Sequence, residues 1–226
     1  PEVMLTMLQT RTVHQASPIY YTMVDEVETE DLTHDIELIG GFHWVAVNLK
    51  YDPYSDLRVR QAVAHAINKD DVCDLVFLGY ASPIDHPLPG PWKVAVSSLP
   101  YDPEKAKQLL ADAGYPDGFS DTFLAAPTPE ERKMAEVIAG NLSDVGIDMS
   151  IDMPEVGTYI DEAITKKTFH MTNCGWTPPP EPDIILSAFY QSDGWLNMPS
   201  YSNSEVDDLF EKGRVELDNK ERKKIY

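Results

Sequence analysis

The chain has 226 residues, and its 38 Asp and Glu against 18 Lys and Arg give a formal net charge of −20. That charge argues against nucleic-acid binding, which requires a basic surface, and against docking on anionic lipid. The length fits one or two domains, and 42% hydrophobic residues suffice for a substantial core. The longest apolar runs, such as residues 72–78, are too short to span a bilayer, and no signal-peptide pattern is visible.

Helix signals are clearest where a capping residue precedes apolar residues spaced three and four apart. Asp56, Asp102 and Thr128 stand at such positions, and Glu131 follows Thr128 at the spacing of a capping box. Asp183 is predicted to cap a later helix. A helix over residues 156–164 is predicted to bury one face formed by Val156, Tyr159, Ile160, Ala163 and Ile164, and others are predicted from Ser17, near Ser202 and near Asp218.

The predicted strands alternate with these helices. Residues 147–153 alternate apolar and polar side chains, which is the pattern of a strand with one buried face. Other strands are predicted at residues 36–39, 44–49, 122–125 and 169–174, and the proline-rich residues 81–101 are predicted to be irregular. Because strands and helices of this length alternate, the sequence predicts an α/β or α+β layered domain.

Motifs that carry known chemistry are absent from the sequence. It contains neither a glycine-rich nucleotide-binding loop nor the nucleophile elbow of serine hydrolases. The six histidines are scattered without an i, i+4 pair, so no metal or cofactor is predicted. A hydrolase with two catalytic carboxylates stays open as an alternative, although no spacing singles out a pair of acids. Cys73 and Cys174 are either two free thiols or one disulfide.

Tryptophans at strand ends and in loops are the candidates for ligand contact. Trp176 follows a predicted strand, whereas Trp92 and Trp195 lie in predicted loops. Aromatic rings at such places offer flat faces to a ligand and lose little entropy on binding. The competing interpretation is that these rings anchor loops to the core, and it is favoured for Trp92 and Trp195.

Four ordered blocks of the sequence resemble one protein family. Residues 48–72 read N-L-K-Y-D-P-Y-S-D-L-R-V-R-Q-A-V-A-H-A-I-N-K-D-D-V, and residues 101–115 read Y-D-P-E-K-A-K-Q-L-L-A-D-A-G-Y. Residues 135–147 and 201–209 continue the match in the same order. Together the blocks resemble the family 5 solute-binding proteins of ABC importers, the class that takes oligopeptides, dipeptides and nickel complexes.

The resemblance implies a fold and a domain organisation. It implies a type II periplasmic-binding-protein-like α/β lobe, with a mixed sheet flanked by helices, from a two-lobed hinged receptor. Residues 1–45 would end the first lobe and form the crossing segment, and residues 46–226 would form an incomplete second lobe. Since family members are longer and this chain ends within a predicted helix, we expect a fragment whose N-terminal lobe is missing.

The resemblance also implies a function without enzymatic activity. Family members are extracytoplasmic receptors, periplasmic or lipid-anchored at the cell surface, that capture a small solute between two lobes. They then deliver it to an ABC permease in the membrane. On this basis, the expected ligand-binding residues are Trp176, Thr177, Asp183, Trp195, Tyr190 and Asn173.

Two departures from the family pattern bear on the ligand. Peptide-binding members place an Asp three positions after the Trp, where this sequence has Pro179, and dipeptide-binding members use an Arg where it has Ala125. A buried zwitterion without charged partners is costly. The sequence therefore argues against a dipeptide, unless Asp183 or Glu181 substitutes on the ammonium side. A longer peptide, an oligosaccharide and an opine stay open.

Overall fold

The computed structural model describes residues 2–15, 21–27, 41–88, 92, 96 and 98–226, so the predicted helix from Ser17 and the predicted strand at 36–39 lie outside the described residues. The first half contains α1 (Glu2–Gln9), α2 (Val24–Val27), β1 (Phe42–Val47), α3 (Leu57–Ala66), α4 (Lys69–Phe77) and α5 (Pro103–Asp112). The second half contains β2 (Phe119–Leu124), α6 (Pro129–Ser143), β3 (Ile147–Asp152), α7 (Val156–Tyr159), β4 (Met171–Trp176), α8 (Pro182–Tyr190), α9 (Ser204–Val215) and α10 (Asn219–Ile225).

The four strands form one mixed sheet in the order β1-β4-β2-β3. Strand β2 is parallel to β3 and β4, whereas β1 is antiparallel to β4, with Phe42 opposite Trp176 and Val47 opposite Met171. The carboxyl ends of β2, β3 and β4 and the amino end of β1 therefore lie at the same edge, which we call the carboxyl edge. In open α/β sheets this is the edge where ligands bind.

Helices cover both faces of this sheet. On the first face, α3 to α6 pack over a core that includes Tyr54, Leu110, Phe123 and Ile138, all at most 1% exposed. On the second face, the core includes Phe42, Leu124, Ile185, Phe189 and Met198. The α/β layered architecture predicted from the sequence is confirmed. Strand β1 crosses the domain boundary predicted at residue 46, and the division into 1–45 and 46–226 stays a prediction.

Three of the predicted helix caps are confirmed. The side chains of Asp56, Asp102 and Thr128 accept the N–H groups of Arg58, Lys105 and Glu131 at 2.8, 2.9 and 3.2 Å. Each bond satisfies one donor that the first helical turn leaves without a partner.

The predicted cap of α8 is wrong by two residues. Glu181, not Asp183, is the N-cap, and its Oε2 accepts the Ile184 N–H at 3.0 Å. Pro182 occupies the first helical position, where the missing N–H of proline costs nothing. Asp183 therefore lies inside the first turn and is free to make other contacts.

The predicted buried face of residues 156–164 is also partly wrong. Tyr159 and Ala163 are buried as expected, but Val156 and Ile160 are 59% and 46% exposed. After Tyr159 the chain continues as a π-helix over Ile160–Thr165, and the Lys166 N–H bonds the Asp161 carbonyl at 2.7 Å. The wider turn of a π-helix breaks the 3.6-residue period on which the prediction depended.

Both cysteines are free thiols, so the disulfide alternative is wrong. Cys73 is buried on α4, and Cys174 is partly exposed on β4. Burial raises the pKa of both thiols, which keeps them in the unreactive protonated form.

The Asp56 cap predicts a pH-dependent stability. Hydrogen bonds from Arg58 lower the Asp56 pKa from 3.8 to about 2. A depressed carboxyl pKa contributes stability above the unfolded-state value, and that contribution is lost as the pH falls from 4 through 2. Asp56→Asn keeps a capping side chain but removes the charge, so it is expected to destabilise the protein at pH 7 more than at pH 2. Denaturant titrations across this range measure the difference, and a gap independent of pH would contradict the prediction.

Candidate functional site

Aromatic side chains gather on the second face at the carboxyl edge. Trp176, the last residue of β4, has its ring centroid 5.4 Å from Trp195, edge-on at 83°, and 6.0 Å from Phe189. Trp44 of β1 lies edge-on to Phe189 at 4.8 Å. We call Phe42, Trp44, Trp176, Phe189, Tyr190 and Trp195 the aromatic cluster.

The aromatic cluster has a buried base and an open top. Phe42 and Phe189 are each 9% exposed, whereas Trp195 is 57% and Tyr190 46% exposed. Trp176 lies between these layers and is half-buried. The cluster therefore both anchors the loop to the core and presents ring faces to solvent, the arrangement of a surface that packs against a ligand.

A buried amide holds the loop that carries Trp195. Asn197 is fully buried, and its Nδ2 donates to the carbonyl oxygens of Gln191 and Tyr201 at 3.0 and 2.7 Å. Its Oδ1 accepts the Tyr201 N–H at 2.9 Å. The amide thus joins the two ends of the loop, and the sequence alone did not single it out.

The two acids that were considered for a ligand ammonium already have partners. Both oxygens of Asp183 accept from Arg214 Nε at 3.1 Å, and Oδ1 also accepts from the Tyr226 hydroxyl. Glu181 pairs with Arg222 at 2.5 Å while capping α8. Burial and the charge of Asp183 raise the pKa of Tyr226 to about 12. These carboxylates therefore fix α9 and α10 against the start of α8.

Arg222 also links this network to the proline-rich connection. Its guanidinium lies 5.5 Å from the centre of the Trp92 ring and 5.2 Å from that of Tyr226. Cation–π contacts of this kind favour the loop-anchoring interpretation of Trp92.

The remaining predicted site residues differ in their exposure. Asn173 is fully buried, accepting the Ala126 N–H at 3.2 Å and donating to the Glu131 carbonyl at 2.7 Å. It joins β4 to the connection between β2 and α6. Thr177 is exposed beside Gly41, where an added Cβ would lie 2.7 Å from the Thr177 Oγ1. The structure thus brings Trp176 and Trp195 together, places Tyr190 beside Phe189, and gives Asn173 and Asp183 supporting contacts.

A histidine–glutamate pair lies at the same edge on the first face of the sheet. His43 of β1 has Nδ1 2.6 Å from Oε1 of Glu131, and Glu131 is 3% exposed. Glu131 therefore does not complete the predicted capping box, because its carboxylate contacts His43 instead of its own helix end. A lone histidine in a strand gave no sequence signal for this pair.

Two further features of the described residues concern metal ions and membranes. No group of three or more His, Cys, Asp and Glu side chains among them is arranged to hold a metal ion. In the same part of the chain, every helix is too short or too polar to cross a membrane.

Known proteins with similar sequences belong to one family of binding proteins. The family described as "Bacterial extracellular solute-binding proteins, family 5 Middle" matches residues 1–197. The chain is 28% identical over 233 residues to the glutathione-binding protein GsiB of Pectobacterium atrosepticum, which covers 97% of this chain and 45% of that protein. It is 33% identical over 196 residues to the heme-binding protein A of Haemophilus influenzae, with coverages of 81% and 35%. These relatives are binding proteins rather than enzymes, so the hydrolase alternative has no support.

A solved structure shows the same fold. The periplasmic binding protein DppA from Helicobacter pylori, in complex with the peptide STSA, superposes with a TM-score of 0.83 at 26% identity, covering 100% of this chain and 46% of that one. The chain thus spans about half the length of the relatives that it matches over nearly its full extent. The mixed sheet, the flanking helices and the family match confirm the resemblance seen in the four sequence blocks. The chain belongs to the bacterial extracellular solute-binding proteins of family 5.

Proposed function

We propose that this chain supplies one lobe of the extracytoplasmic solute-binding component of an ABC importer. The complete protein captures a small solute between two lobes and passes it to a membrane permease. The observation that carries this proposal is the aromatic cluster, which opens at the carboxyl edge where ligands of α/β sheets bind. Family membership and the half-length coverage support it.

The solute that fits this site best is a short peptide or peptide-derived molecule. Two of the three named relatives support this class, since one binds glutathione and another was solved with a peptide, whereas the third binds heme. Glu181 and Asp183 are paired with arginines, so the site does not rely on them to hold an ammonium group. We infer that the solute packs its side chains and backbone against the aromatic rings. None of the three named relatives supports the oligosaccharide that the sequence left open.

The site residues divide into contacting and positioning roles under this proposal. Trp176, Trp195 and Tyr190 contact the solute through their rings, and the exposed Thr177 offers a hydroxyl beside them. Asn173 and Asp183 act at a distance, since their side-chain atoms bond protein groups that shape the edge.

Replacing Trp176 with alanine is expected to weaken solute binding by about 1–3 kcal/mol, since buried aromatic anchors carry this much of a binding energy. The loss has two sources, because Trp176 contributes its own ring and also supports Trp195. The measurement is calorimetry with a panel of three- to five-residue peptides on the protein that carries both lobes.

The matched control is Tyr101→Ala, which removes a 45%-exposed aromatic ring next to α5, away from the aromatic cluster. It should leave the affinity unchanged. Equal affinities for the wild type and Trp176→Ala would assign Trp176 a structural role only. If no solute of the panel bound to the two-lobed wild type, the proposed ligand class would be wrong.

A further inference from the structure

The pair formed by His43 and Glu131 is built into the carboxyl edge but has no role in the aromatic cluster. His43 stands on β1 opposite Gly175 of β4, one residue before Trp176. Its side chain is 37% exposed, whereas that of Glu131 is 4% exposed. A partly exposed imidazole thus lies over a buried carboxyl group at the edge where we place the solute.

Glu131 lies at the start of a long helix, with one carboxylate oxygen against His43. It is the third residue of α6, a helix of 15 residues, where the helix dipole stabilises negative charge. Its Oε1 faces Nδ1 of His43 at 2.6 Å, and its Oε2 is buried without a hydrogen-bond partner among the described residues. The Glu131 oxygen accepts a hydrogen bond at this distance when Nδ1 of His43 carries the proton.

The neighbouring strand leaves space for the pair. A Cβ added at Gly175 would lie 2.6 Å from Cε1 of His43 and 3.1 Å from Oε1 of Glu131. On the other side, the imidazole packs against Phe77, with ring centroids 4.7 Å apart. The ring is thereby held between a strand and a helix, and its orientation is fixed before any ligand arrives.

The second ring nitrogen of His43, Nε2, is the atom that could contact a solute. Within the described residues, only Nδ1 has a hydrogen-bond partner. When both ring nitrogens of His43 carry a proton, Nε2–H is a charged donor. Such a donor matches an anionic oxygen, since hydrogen bonds between charged partners are the strongest.

We propose that His43, oriented by Glu131, is a specificity-determining residue that binds a carboxylate group of the solute through Nε2. This inference rests on the proposed function, because it assigns the partner of one group of the same solute. Glu131 is a positioning residue in this arrangement, since it acts on the solute only through His43.

The test compares each peptide of a panel as the free acid and as the C-terminal amide, which differ at one group. On the two-lobed wild type, the free acid is expected to bind about tenfold or more tightly than the amide, as for a charge-assisted hydrogen bond. In His43→Gln, the two forms should bind within about twofold of each other, because the neutral amide of glutamine lacks the charge. Glu131→Gln should give an intermediate ratio.

The control is His14→Gln, the same substitution at an exposed histidine of the described residues, and it should keep the wild-type ratio. A wild-type ratio in His43→Gln, or wild-type protein that binds acid and amide equally, would overturn the inference and leave the proposed function intact. If no peptide bound the wild type, both would fail together. Should His43→Gln not fold, the His43 ring resonances of the wild type decide, since they must shift with the acid and not with the amide.

Discussion

Replacing Gly118 with alanine is expected to lower the free energy of unfolding by about 3 kcal/mol or more, since backbone strain and overpacking add at this position. Gly118 has a φ of +76°, and an added Cβ would lie 1.8 Å from the carbonyl oxygen of Gly146. That oxygen also accepts the Phe119 N–H at 3.1 Å. The obstacle is backbone at the start of two paired strands, so neither partner moves away without breaking the pairing of β2 with β3.

Two other glycines separate the cost of backbone strain from the cost of the steric clash. Gly114 has a φ of +96° but no atom within 4 Å of an added Cβ, so Gly114→Ala should cost only the strain, about 1–2 kcal/mol. Gly140 lies exposed in α6 with equally open space, and Gly140→Ala should stabilise by about 0.5–1 kcal/mol. Denaturant unfolding of the three variants measures the order, and Gly118→Ala no less stable than Gly114→Ala would contradict the steric argument.

Local signals in the sequence predicted much of the fold. The caps at Asp56, Asp102 and Thr128 are confirmed because a capping bond joins residues two or three positions apart. The alternation over residues 147–153 likewise predicted β3, since one face of the strand packs on the core. Such features depend on short-range geometry that the chain carries with it.

Features that depend on distant residues could not be predicted in this way. The carboxylate of Glu131 fits a capping box, yet it bonds His43, which lies 88 positions away in the sequence. Asp183 fits the pattern of a helix cap, yet its carboxylate forms an ion pair with Arg214. In both cases the side chain bonds a partner from another element, which the local sequence pattern does not contain.

The candidate site could likewise be predicted from the sequence only in part. The sequence singled out Trp176 and Trp195 as aromatic residues at a strand end and in a loop, and the structure brings their rings into contact. It did not reveal Phe42 and Phe189 as the base of the aromatic cluster, because each also fits an ordinary core position. Only the antiparallel pairing of β1 with β4 places the two strands' aromatic residues side by side.

Replacing Asn197 with alanine is expected to lower the free energy of unfolding by about 3 kcal/mol, since it leaves several buried polar groups without partners. The lost bonds are those to the carbonyls of Gln191 and Tyr201 and that from the Tyr201 N–H. Because these bonds close the loop that carries Trp195, the loop should also open locally. Hydrogen exchange over residues 191–203 should then rise at denaturant concentrations that leave the sheet protected.

Asn203 provides the matched control for Asn197. It is the N-cap of α9, and its side chain makes a single capping bond to the Glu205 N–H at 2.9 Å. Asn203→Ala should therefore cost about 1 kcal/mol and leave exchange around Trp195 unchanged. If both variants lost equal stability, the buried bonds of Asn197 would contribute no more than a single capping bond does. The expected result is that Asn197→Ala loses more stability and also binds peptides more weakly in the two-lobed protein. Because the substitution removes no aromatic ring, weaker binding would mean that the loop positions Trp195 for the solute.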